Sequence, residues 1–168
     1  MDKRLQWADA ITLERIGLLH PAIRSEVREL YLQINTMLPK GVRLRFSQTL
    51  RSSEYQRSLY NQGRTTPGKI VTYAMPGQSI HEYGLAFDIV LLYDKDGNGT
   101  LETADWVENS HWKKVVSFFK SNGWSWGGDW TGKKRDSPHF EKTFGNTWRE
   151  LSKKNKSLDN NGNEYVIL

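Results

Sequence analysis

The chain has 168 residues, enough to bury one sizeable core, and its 37% hydrophobic and 26% charged content suits a soluble globular domain. No run approaches the roughly 20 apolar residues of a membrane-spanning helix, and the absence of cysteine rules out disulfides and thiolate metal ligands, leaving histidine and carboxylate to hold any zinc. The formal charge of +5 favours polyanionic surroundings, yet the basic residues are dispersed, and no basic stripe interleaved with aromatics marks a nucleic-acid module.

The opening MDKRLQWADAITLERIGLL places acids and polar residues where a secretory leader needs an unbroken apolar core, so no export signal is expected. Residues 21–37 set Ile23, Val27, Leu30 and Ile34 at three-to-four spacing behind Pro21, which predicts an amphipathic helix. After Pro39-Lys40-Gly41, VRLRFSQTL alternates like a half-buried strand. A second helix is predicted over residues 53–62, ended by Gly63, and residues 64–78, with two prolines and two glycines, read as an irregular loop. LAFDIVLLY is the next strand. Trp112, Val115, Val116 and Phe119 predict a helix over residues 106–120, ended by Asn122-Gly123. Short aromatic strands around residues 124–126 and 138–140 flank a loop with Gly127, Gly128 and Gly132, and the tail reads as a basic helix at 148–154, a turn at 159–162 and a terminal strand EYVIL. With no repeat and no linker, the pattern predicts a single α+β domain over residues 1–168.

The chemistry concentrates in SIHEYGLAFDI. Asp88 lies inside a strand with apolar residues on both sides, a costly place for a carboxylate without a partner, and the turn at Gly84 lets His81 fold back toward it. Downstream, DSPHFE supplies His139. Two imidazoles and one carboxylate leave a fourth zinc position open for water, as a catalytic site requires, and Asp136, three residues before His139, is then the natural base. From these residues alone a metal centre and merely packed or solvated histidines both remain open. His20, beside a helix start, and His111, on a helix face, are expected to be structural.

SIHEYGLAFDI and DSPHFE resemble the S-x-H-x-x-G-x-A-x-D and D-x-x-H motifs of the M15 metallopeptidases, which include D-alanyl-D-alanine carboxypeptidases and dipeptidases. LRSSEYQRSLYNQGRT, GQSIHEYGLAFDIV and GWSWGGDW extend the resemblance over roughly residues 14 to 145, toward the L-alanyl-D-glutamate endopeptidase branch common among phage endolysins. The resemblance implies an α+β fold whose small antiparallel sheet carries the zinc site, with flanking helices. It implies His81, Asp88 and His139 as zinc ligands, Asp136 as catalytic base and Arg51 as the residue that steadies the oxyanion, with Gln56 and Ser79 positioning substrate. The implied partner is the peptidoglycan stem peptide, met by a monomeric chain that inserts in no membrane. Such an enzyme is made in the cytoplasm and reaches the wall through a holin, lysis or dedicated export.

Residues 94–105, DKDGNGTLETAD, fit the twelve-residue calcium loop of an EF-hand at most positions. Asp94, Asp96 and Asn98 take the first, third and fifth places, Gly99 the sharp turn, Thr100 the carbonyl place, Glu102 the ninth and Asp105 the twelfth, where glutamate is usual. Calcium is therefore expected there, alongside a plain polar turn as the alternative. Against the endopeptidase stand a D-alanyl-D-alanine carboxypeptidase with the same zinc centre and a non-catalytic wall-binding module, the latter disfavoured by the presence of both Asp136 and Arg51.

Overall fold

The structure, a computed structural model, describes residues 2–168. Its centre is the strand β2 (Ala86–Tyr93), flanked on one edge by β1 (Val42–Gln48), whose residues 42–46 face 89–93. The other edge is shared. β5 (His139–Glu141) pairs with Ala86, Phe87 and Asp88, and β3 (Thr103–Asp105) with Leu91, Leu92 and Tyr93. β4 (Ser125–Trp126) extends the sheet beyond β5, and every pairing is antiparallel.

Alternation along β2 decides what faces where. Phe87, Ile89 and Leu91 point into the main core, where Phe87 stacks on Phe46 with ring centroids 4.2 Å apart and packs against Phe119, Trp124 and Phe140. Asp88, Val90 and Leu92 share the opposite face. A central strand buried on both faces explains the nearly unbroken apolar run that brackets Asp88.

Helices cover the core face. α2 (Pro21–Met37) buries Ile23, Val27, Leu30 and Ile34, as its spacing predicts. His20 caps it, its Nδ1 accepting from the Ala22 amide while its Nε2 meets the Val166 carbonyl. α3 (Ser53–Asn61) follows β1, capped by Ser52. α4 (Ser110–Ser121) begins four residues later than the predicted start at residue 106, because Asn109 Oδ1 accepts from the amides of His111 and Trp112 and caps the helix there. Three elements escaped the sequence reading: α1 (Ala10–Gly17), capped by Asp9, β3 within the 94–105 loop, and β6 (Lys156–Leu158), which pairs with β7 (Glu164–Val166) in a C-terminal hairpin. The basic tail helix shortens to α5 (Trp148–Leu151). Among the described residues no helix is long and apolar enough to cross a membrane.

Candidate active site

Gly84 makes the approach of the first motif possible. It ends the 3-10 turn Ile80–Tyr83 in the left-handed region, at φ 68°, and a Cβ there would lie 2.8 Å from the backbone nitrogen of His20. The chain reverses at this point, so the buried His81 comes to lie over the first residues of β2. β1 contributes through an irregularity: its register with β2 shifts between Phe46 and Gln48, and the strand delivers the Thr49 carbonyl to His81 Nδ1 at 2.7 Å. The register of β5 against β2 sets His139 directly opposite Asp88.

Three atoms converge as a result. His81 Nε2 and His139 Nδ1 each lie 3.2 Å from Asp88 Oδ1 and 3.2 Å from each other. That spacing matches the edge of a tetrahedron with ligand bonds of about 2.0–2.1 Å, roughly 3.3 Å, so the three can hold one metal ion. Electrostatics agree. Burial pushes the Asp88 carboxyl up, but the facing imidazoles of His81 and His139 outweigh it and hold it well below the usual carboxylate range. Burial likewise lowers His139, and hydrogen bonds to Asp88 and Glu141 reverse the effect, raising it to about 9 in the metal-free chain. Two imidazoles and a carboxylate packed this closely are a charge cluster that a cation would complete.

Arg51 and Asp136 face this cluster. The Arg51 amide bonds the His81 carbonyl, Nη2 lies 3.7 Å from Asp88 Oδ2, and Nε is buried without a partner. Asp136 stays open to solvent, while its backbone is held by Gly127, whose carbonyl accepts from the Asp136 amide. A Cβ on Gly127 would come within 2.4 Å of the Asp136 carbonyl oxygen, so only glycine permits this packing. Trp126 Nε1, donating to the Ser137 carbonyl, fastens the same loop. Desolvation of the carboxyl on the side that faces the cluster, and after it the negative charge of Asp88, raises the Asp136 pKa against the opposing pull of His139, His81 and Arg51.

The two residues expected to position substrate are both buried. Gln56 is fully buried, and its amide is used at both ends: Oε1 accepts from Arg51 Nη1 at 2.8 Å, and Nε2 donates to the Ala74 carbonyl at 2.7 Å. It braces Arg51 and ties down the 64–78 loop instead of reaching open space. Ser79 is also buried, its amide donating to Glu82, a carboxylate that gathers Gly77 and Ser53 as well. The sequence reading marked Glu141 only as a substitute base and left Thr49 and Trp130 unmarked. Glu141 meets His139 Nε2 at 2.9 Å, and the Trp130 ring lies 5.2 Å from that of His139. The two-residue spacing of His139 and Glu141 was a legible signal for the first; the Thr49 carbonyl left none. Asp129 is paired with Lys120 on the surface.

In the 94–105 loop, oxygens of Asp94, Asp96 and Glu102 come within 4.8 Å of one another. Gly99 takes φ 88°, and its amide donates to Asp94 Oδ2; Asn98 Oδ1 accepts from the Thr100 amide. Asp105 does not join them. It belongs to β3, opposite Leu91, and its carboxylate accepts from the Val107 amide.

Comparison with known proteins bears on this geometry. A family model described as D-alanyl-D-alanine carboxypeptidase, of the M15 peptidases, matches residues 74–142, the stretch that holds His81, Asp88, Asp136 and His139. The peptidoglycan L-alanyl-D-glutamate endopeptidase CwlK of Bacillus subtilis is 40% identical over 126 residues, covering 73% of this chain and 72% of that protein. The chain belongs to the M15 peptidase family. As an M15 peptidase it is an enzyme, and it is also similar to the L-alanyl-D-glutamate peptidase of Listeria phage A118, 29% identical over 138 residues. That match spans 76% of this chain but 43% of the phage protein. The crystal structure of the Serratia marcescens L-Ala D-Glu endopeptidase ChiX superposes with a TM-score of 0.55 at 22% identity, over 80% of this chain and 88% of that one, which supports the M15 fold.

Proposed function

We propose that the protein is a zinc-dependent peptidoglycan hydrolase that cuts the L-alanyl-D-glutamate bond inside stem peptides, with residues 1–168 acting as one peptidase domain. The observation that carries this reading is the convergence of His81, Asp88 and His139 at 3.2 Å spacing in a chain 40% identical to a relative named for that bond. His81 Nε2, Asp88 Oδ1 and His139 Nδ1 would hold the ion, and nitrogen and oxygen donors with no thiolate suit zinc with one position left for water. Bound there, zinc supplies a water of lowered pKa and polarises the scissile carbonyl.

The chain's own residues manage protons and charge. Asp136 takes the proton from the attacking water and returns it to the leaving amine. Arg51 stabilises the negative charge that develops on the carbonyl oxygen, a contribution of about 3 kcal/mol when a donor is preorganised. Its Nη2, 3.7 Å from Asp88 Oδ2 at the cluster, and its bracing by Gln56 support that role.

Within the same reading the 94–105 loop takes calcium through Asp94, Asp96, Asn98, the Thr100 carbonyl and Glu102, with Asp105 withdrawn into β3.

Digestion of purified peptidoglycan by the zinc-loaded protein, followed by mass spectrometry, tests the proposal. Glycan fragments ending in a free L-alanine carboxyl, and peptides beginning with D-glutamate, are the expected products, and chelation should abolish both. Release of terminal D-alanine alone would move the assignment to the carboxypeptidase activity that describes the matched family model.

A further inference from the structure

β5 is three residues long and carries its chemistry on alternate positions. Phe140 turns into the core against Phe87, so His139 and Glu141 must emerge together on the other face, the one that also presents Asp88. There His139 is held from both sides: Nδ1 lies 3.2 Å from Asp88 Oδ1, and Nε2 lies 2.9 Å from Glu141 Oε2. A neutral imidazole carries one N–H and one lone pair, and whichever nitrogen donates leaves the other free to ligate. Carboxylate acceptors bid for both nitrogens, so Glu141 and Asp88 compete to set the tautomer.

We propose that Glu141 is a positioning residue for the metal centre: it accepts the Nε2–H of His139, which fixes the ring orientation and leaves the Nδ1 lone pair for the ion. This rests on the reading that His81, Asp88 and His139 hold zinc. His81 is fixed in the opposite sense, its Nδ1–H donating to the Thr49 carbonyl at 2.7 Å and Nε2 left free. The two ligands thus differ in the support behind them. A backbone carbonyl stands behind His81, whereas an ionised side chain stands behind His139 and adds electron density to the ring as well as orientation. Among the described residues Glu141 has no lysine or arginine in ion-pair contact to neutralise it, so its charge is directed at His139. Glu141→Gln keeps an acceptor but loses the charge, and its amide can also present an N–H to Nε2, so the tautomer is no longer enforced. Glu141→Ala removes the contact altogether.

The zinc dissociation constants of wild type, E141Q and E141A, measured by competition with a chromophoric chelator, decide the matter, together with the visible absorption of the Co2+-substituted proteins. Expected are a loss of roughly 10- to 100-fold in zinc affinity for E141A, a smaller loss for E141Q, and an altered Co2+ spectrum in both, with metal-free E141Q unfolding at the wild-type temperature. A purely structural role would instead lower the melting temperature of the metal-free variants and leave the Co2+ spectrum of folded E141Q unchanged, which would overturn the proposal. Wild-type affinity in both variants would overturn it while leaving the zinc centre intact; a wild-type protein that binds no zinc would overturn both.

Discussion

Asp136 and Gln56 are held in different ways, and their substitution should be read differently. The Asp136 backbone is fixed by Gly127, while among the described residues its carboxylate has no hydrogen-bond partner, so the near-isosteric Asp136→Asn removes a proton acceptor without disturbing the loop. A fall in kcat of roughly 10²- to 10⁴-fold with unchanged zinc content is expected; wild-type turnover would refute the base assignment. Gln56→Leu keeps the shape but leaves Arg51 Nη1 and the Ala74 carbonyl without their partner. Unpaired buried groups of this kind cost about 1–3 kcal/mol. If Arg51 acts chiefly as charge develops, the loss should appear in kcat more than in KM, with zinc affinity preserved. Steady-state kinetics on a stem-peptide substrate separate these outcomes, and a change confined to zinc content would show that Gln56 serves the metal instead.

The 94–105 loop is tied to the centre through β2: it leaves the same strand that carries Asp88 and returns as β3 against Leu91, Leu92 and Tyr93. Without a cation, the oxygens of Asp94, Asp96 and Glu102 repel one another within 4.8 Å. Calcium that binds only the folded chain stabilises it by mass action. With the twelfth ligand absent, affinity should be modest, with a Kd on the order of 10⁻⁵ to 10⁻³ M. Calorimetric titration of the zinc-loaded protein should show one site and a raised melting temperature, both lost in Asp94→Ala/Asp96→Ala; Asp105→Ala should bind nearly as wild type. Equal binding by the double variant would return the loop to a polar turn.

At the scale of the whole molecule, Asp9 ties three elements together. It caps α1 through the Thr12 amide, receives two hydrogen bonds from Arg45 on β1, and donates its amide to the Tyr31 hydroxyl on α2. Burial pushes its carboxyl up, but the bonds from Arg45 and Thr12 outweigh it, leaving a pKa below the ordinary 3.8. A depressed carboxylate contributes stability that is present above its unfolded pKa and lost as pH falls through the folded one. Asp9→Asn keeps the cap and removes the ion pair, which is worth about 1 kcal/mol because Arg45 is part-exposed. For a chain of this size that is roughly 2–4 °C in melting temperature. Calorimetry should find the gap constant above pH 5 and closing below about pH 4; a gap that persists at pH 3 would point to packing instead. Much of this architecture was legible in the amino-acid order. Periodicity marked α2, β1 and β2 because each buries a face with its own repeat, and the bracketed Asp88 and the His81-to-Gly84 spacing marked the centre because chemistry there depends on local turns. Helix α1 was obscured by its polar opening, since Asp9 and Arg45 meet only after folding. Which nitrogen of each histidine faces Asp88, the burial of Gln56 behind Arg51, and the withdrawal of Asp105 into β3 were decided only by the tertiary structure, because they depend on contacts between segments that the linear order leaves apart.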